Sequence, residues 1–104
     1  MNYLQYFEKG KVVEACIAGA GDFGRGVLRQ ARQMEKLSAR IAIDINPEKA
    51  AEALRHAGIS DAQIMVCHSK SDAEKAWQEG MFIAAAAFET IQALPFDILV
   101  ESTG

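Results

Sequence analysis

The chain has 104 residues, of which 50% are hydrophobic and 24% charged, with a net charge of −3. That is enough for one domain with its own core and is ordinary globular usage. The acidic balance speaks against a nucleic-acid surface, which needs clustered Lys and Arg, and no apolar run approaches the ~20 residues of a membrane span.

The N-terminal segment from Met1 to Lys9 lacks the basic-then-apolar order of a signal peptide, so a cytoplasmic protein without membrane or nucleic-acid partners is expected. Within residues 1–11, Tyr3, Tyr6 and Phe7 stand at near-helical spacing. They fit either a short helix capping a sheet or a contact segment for another domain.

Residues 12–18 read as the first strand. They are almost continuously apolar, as suits a strand covered on both faces. Glu14 near the start is expected to reach solvent. The run then enters the turn Gly19-Ala20-Gly21-Asp22-Phe23-Gly24, whose glycines match G-x-G-x-x-G. In that spacing the first glycine permits a sharp strand-to-helix turn. The second lets a pyrophosphate approach bare backbone, and the third lets the helix sit close on the strand. The helix start then offers N–H groups and partial positive charge to the anion.

The period changes after the turn. Phe23, Val27, Leu28, Ala31 and Met34 recur at helical spacing over residues 23–36, with Arg29, Arg32, Gln33 and Lys36 on a solvated face. Arg25 falls in the first turn, near the expected anion. A second strand is expected over residues 39–45. In it Asp44 follows Gly24 by twenty positions. A carboxylate there accepts hydrogen bonds from the adenosine ribose 2′-OH and repels a 2′-phosphate, so NAD is favoured over NADP. Asn46 and Pro47 form an N-cap and first helical position. The helix runs to about Ala57, with Ala50, Leu54 and Ala57 inward, and Gly58 stops it.

Residues 64–67 read as a strand, and His68-Ser69-Lys70 as a loop. Ser71-Asp72-Ala73-Glu74 has the order of a capping box, predicting a helix over 72–79 that ends at Gly80. Residues 81–85 suggest a further strand, and 86–94 a helix with Phe88, Ile91 and Leu94 on one face. After Pro95, residues 97–101 form a last apolar strand, and Ser102, Thr103 and Gly104 follow it. Those three small residues fit either a plain turn or the border of a ligand at the carboxyl edge of the sheet. His68 leaves a strand at the same edge, as a solvated loop residue or a flank for adenine. His56 reads as surface or a favourable helix-end charge, Trp77 as helix-to-sheet packing, and the alanines of 84–87 as close packing. Cys16 and Cys67 lie in separate strand-like runs with no zinc spacing, and are expected to be reduced and buried.

Strands alternate with helices throughout. This predicts an α/β fold: a Rossmann-like three-layer α/β/α arrangement with a parallel sheet, its strands ordered 3-2-1-4 and truncated after about the fourth. Either residues 64–67 or 81–85 supply the third strand. No nucleophile–base pair, H-E-x-x-H or G-x-S-x-G motif is present, so no catalytic or metal-binding residue is assigned.

Three stretches together carry a family resemblance: residues 13–26, the run Ile41-Ala42-Ile43-Asp44-Ile45-Asn46-Pro47-Glu48-Lys49-Ala50, and Phe96-Asp97-Ile98-Leu99-Val100-Glu101-Ser102-Thr103-Gly104. They resemble the N-terminal region of homoserine dehydrogenase-like oxidoreductases. The closing residues are similar to that family's V-E-A-T-G segment, with Ser102 in place of Ala. The resemblance implies that residues 1–104 are the N-terminal part of a dinucleotide-binding domain. It implies a nicotinamide cofactor held through Gly19, Gly21, Gly24 and Asp44, and a small-molecule substrate and catalytic groups supplied by regions beyond position 104. Ala20, Asp22 and Phe23 of the same turn and Thr103 are expected to line the same cofactor, NAD rather than NADP. On this reading the isolated chain is inactive, and its open sheet edge predicts a homo-oligomer, such as a dimer. The runner-up is a non-catalytic nucleotide-sensing regulatory domain of a potassium transport system, which has similar glycines and a similar acidic residue. A methyltransferase-like cofactor fold fits less well, because Phe23 stands where its glycine turn has a last glycine.

Overall fold

The computed structural model describes residues 12–19, 22–33 and 37–101. The expected alternation is present as β1 (Val13–Ala18), α1 (Asp22–Gln33), β2 (Leu37–Ile43), α2 (Pro47–His56), a 3₁₀ turn (Asp61–Gln63), β3 (Ile64–Cys67), α3 (Lys70–Gln78), β4 (Phe82–Ala85), α4 (Phe88–Ile91) and β5 (Ile98–Glu101). The five strands form one sheet in the order β3-β4-β2-β1-β5, and every pairing is parallel. The expected fold class is thus observed, with one more strand than the sequence reading placed. Both candidates for the third strand are used. Residues 82–85 pair with β2, and 64–67 extend the sheet beyond them as an edge strand.

Two apolar layers flank the sheet. One face carries Ala15, Ile17, Ala42 and Ala84 beneath Leu28 and Ala31 of α1 and Ala50, Ala51, Ala53 and Leu54 of α2. Ala42 and Ala84 are neighbours across β2 and β4. Small side chains on the sheet meet small side chains on α2, so helix and sheet approach closely. The other face carries Cys16, Ile41, Ile43, Ile83, Ala85 and Cys67 beneath Ala73 and Ala76 of α3 and Ile91 of α4. Apolar residues on both faces explain why β1 and β4 lack the alternation of a half-exposed strand.

A bulge in β2 decides where Arg40 goes. Glu14 pairs with Ser38 and Cys16 with Ile41, so three steps along β2 oppose two along β1. The extra residue inverts the side-chain alternation. Ala39 and Ala42 therefore share the α1/α2 layer, while Arg40 reaches the opposite one. There its Nη2 donates to the carbonyls of Trp77 (2.9 Å) and Met81 (3.0 Å), and its Nε to Met81 (3.3 Å). The guanidinium also stacks 3.8 Å from the centre of the Trp77 ring. Trp77 packs between helix and sheet as expected.

Several local expectations are corrected. β2 begins at Leu37 and ends before Asp44. The capping serine of α3 is Ser69, not Ser71: its side chain accepts from the Asp72 N–H at 3.2 Å. Asp72 Oδ2 in turn accepts from the His68 N–H at 3.3 Å, one residue before the cap. The helix expected over 86–94 spans only 88–91. Ile91 and Leu94 are inward, but Phe88 is 39% exposed and meets Phe96 edge to face, 6.1 Å between centroids. Glu14 does not simply reach solvent: its Oε2 is buried without a hydrogen-bond partner among the described residues. Its backbone N–H donates to Asp97 Oδ2 at 2.8 Å, and the Asp97 N–H donates back to the Glu14 carbonyl at 2.7 Å.

Asn46 caps α2 with Pro47 in the first turn, and Gly58 ends it at φ 98°, as expected. His56 is exposed in the last turn of that helix. Arg29 and Gln33 are exposed on α1. Both cysteines are free and buried. Three strand spacings, about 14 Å, separate β1 from β3, beyond the ~7 Å limit for a disulfide.

Candidate functional site

The carboxyl ends of all five strands fall in one row. Cys67 pairs with Ala85, Ala85 with Ile43, Ile43 with Ala18, and Ala18 with Glu101. The residues that follow the first four of these ends, His68, Ala86, Asp44 and Gly19, therefore lie along a single edge, which Glu101 continues on β5. In an open parallel sheet this edge is where ligands bind. The row unites Gly19, Asp44 and His68, which the sequence marked separately.

Gly19 has φ 95°, a left-handed conformation that needs glycine. Its N–H donates to the Ile43 carbonyl at 2.7 Å. The start of the glycine turn is therefore bonded to the peptide that leads into Asp44. Across the other side, the Asp44 N–H donates to the Ala85 carbonyl at 3.0 Å. Asp22, Phe23 and Gly24 form the first turn of α1. Ala20, Gly21, Ser102, Thr103 and Gly104 lie outside the described residues, as do residues 1–11 and Met34 to Lys36.

Asp44 is half-buried, and its Oδ1 accepts from the Asn46 N–H at 3.0 Å. The Asn46 side-chain oxygen accepts in turn from the Glu48 N–H at 3.1 Å. Two neighbours of Asp44 escaped the sequence reading. Ile45 is 94% exposed, a bare apolar side chain at the ligand edge, and Ala86 is exposed rather than packed. An isoleucine between the acidic residue and the Asn46-Pro47 cap was the available signal. His68 is exposed, and its backbone serves the α3 cap.

The two thiols do not contribute chemistry here. Burial pushes Cys16 up to about 12. Burial, and then the charge of Asp72, push Cys67 up to about 11. Both are therefore protonated at neutral pH, and the Cys67 Sγ lies 3.7 Å from the Met65 carbonyl as a donor. Among the described residues, no group of three His, Cys, Asp or Glu side chains could hold a metal ion, and no helix is long and apolar enough to cross a membrane.

The described cavity lies elsewhere. About 170 Å³ opens between α1, α2 and the sheet, lined by Leu28, Ser38, Ala39, Leu54, Ile59 and Phe82 among others. It neighbours the amino ends of β2 and β4, away from Gly19 and Asp44. Neither a protein-family model nor a curated protein matches this chain. What stands for a ligand site is therefore the carboxyl-edge geometry itself.

Proposed function

We propose that this chain binds NAD along the carboxyl edge of its sheet, as the cofactor-binding portion of an oxidoreductase resembling homoserine dehydrogenase. The observation that carries the reading is the bond from the Gly19 N–H to the Ile43 carbonyl. It supports the reading because left-handed Gly19 is bonded to the peptide that leads into Asp44. The residues fit the group: a diphosphate would lie against the backbone of the turn from Gly19 to Gly24 and the first turn of α1. Asp44 would accept a ribose hydroxyl, and the bare side chain of Ile45 offers a flat base an apolar surface. Thr103 would border the same ligand from beyond β5.

The bound nicotinamide supplies hydride chemistry. This chain's own residues bind and orient it. The substrate and the groups that move its protons are supplied from outside residues 1–104, so the isolated chain turns nothing over. The reading also includes self-association through the open edge of the sheet.

Calorimetry of the 104-residue chain with NADH, NADPH, ADP and ATP tests the proposal. NADH binding, weaker NADPH binding and no preference for ADP or ATP are expected. A preference for ADP or ATP would instead support the nucleotide-sensing domain, and absence of binding to any of them would overturn both.

A further inference from the structure

We propose that Asn46 is a positioning residue that holds the Asp44 carboxylate in the orientation a ribose hydroxyl requires. The inference rests on the nucleotide reading and goes beyond it by naming what fixes the carboxylate. Asn46 is tied to α2 twice. Its side chain accepts from the Glu48 N–H at 3.1 Å, and its carbonyl accepts from the Lys49 N–H at 3.0 Å. Pro47, the next residue, has its φ locked by its ring and opens the helix. α2 is itself immobilised, because Ala50, Ala51, Ala53 and Leu54 are between 0% and 1% exposed.

The direction of the Asn46 N–H therefore follows from the seating of α2 on the sheet. That N–H donates to Asp44 Oδ1 at 3.0 Å. From the other direction, the Asp44 backbone is pinned to Ala85 of the neighbouring strand. The Asp44 backbone is thus held by β4 and its carboxylate by the capped start of α2. An ionised carboxylate offers about four acceptor positions, and this bond fixes the orientation of the group through one of them. The cap of α2 has two consequences: it stabilises the helix, and it sets the side chain beside it for binding.

Removing the Asn46 side chain leaves its backbone N–H in place but loosens the turn that aims it. Asn46→Ala is expected to weaken NADH binding about three- to tenfold, the worth of one well-placed hydrogen bond. Binding of the NADH analogue lacking the adenosine 2′-hydroxyl is expected to be unchanged. Asn46→Ser, which retains a capping oxygen, should restore NADH affinity. Should Asn46→Ala fold poorly, Asn46→Gly keeps most of the cap stability and is expected to show the same loss.

Titration of each variant with both ligands decides the matter. Wild-type affinity for NADH in Asn46→Ala or Asn46→Gly would overturn the positioning role. So would an equal loss for the deoxy analogue, which would mark a general structural effect. Failure of the wild-type chain to bind NADH would overturn the nucleotide reading, and this inference with it.

Discussion

Single residues of this chain do their work through very local geometry. Asp44 stands one position beyond the end of β2, bonded through its backbone to Ala85 and through its side chain to Asn46. If it receives a ribose hydroxyl, Asp44→Ala should weaken NADH binding about 10- to 100-fold, the range for hydrogen bonds to a charged group. The loss for NADPH should be smaller, because a repulsion of the 2′-phosphate disappears with it. Paired titrations of the two cofactors measure the ratio. The thiols make a separate prediction. In the folded state Cys16 and Cys67 titrate near 12 and 11, against an ordinary value of 9.0. Above that value the unfolded chain has lost protons that the folded chain keeps, so stability falls as pH rises. Each thiol contributes ~1.4 kcal/mol per pH unit until its folded value is reached. Urea unfolding between pH 8 and 11 should show a shallower loss for Cys16→Ala than for the wild type, whatever the offset from its smaller side chain.

Elements are held by their ends as much as by their faces. α3 begins with the Ser69 hydroxyl accepting from the Asp72 N–H, and Arg40 donates to the Trp77 carbonyl of its last turn and to the Met81 carbonyl just beyond it. A cation at a helix C-terminus is favoured by the helix dipole, and the planar guanidinium engages two carbonyls while stacking on Trp77. Burial lowers the Arg40 pKa, and the charge of Glu14 raises it in opposition. Arg40→Met should cost about 2 kcal/mol in chemical denaturation. Arg40→Lys should recover only part, because an ammonium cannot reproduce the fork. Ser69→Ala should cost ~1 kcal/mol, and Ser71→Ala little. That pair of variants checks directly which serine is the cap.

At the scale of the whole molecule, the sheet formed by the described residues has β3 and β5 at its edges. Among the described residues β5 pairs only with β1. Leu99, at the centre of β5, is 42% exposed. A strand with one unpaired side and an exposed apolar residue is a template for another chain. Sedimentation of the isolated chain should therefore show a dimer that Leu99→Lys returns to monomer. A wild-type monomer at millimolar concentration would rule out this association.

Much of the architecture was legible along the chain. Apolar runs of strand length alternating with helical patterns specify parallel α/β layers, because each pattern buries its own face. Gly19 before a helix and Asp44 after a strand stood out because both requirements are local: one is a backbone conformation, the other a charge at a strand end. The Asn46-Pro47 cap was legible for the same reason. The three-dimensional arrangement alone decided the rest. Strand order depends on which edges pair across the sheet, so nothing local told 64–67 from 82–85. The β2 bulge is an unequal count between two strands, invisible in either one, yet it sends Arg40 to Trp77. The common carboxyl edge of Gly19 and Asp44 arises only when β1 and β2 lie parallel and in register, since residues distant in sequence become neighbours through hydrogen bonding between strands.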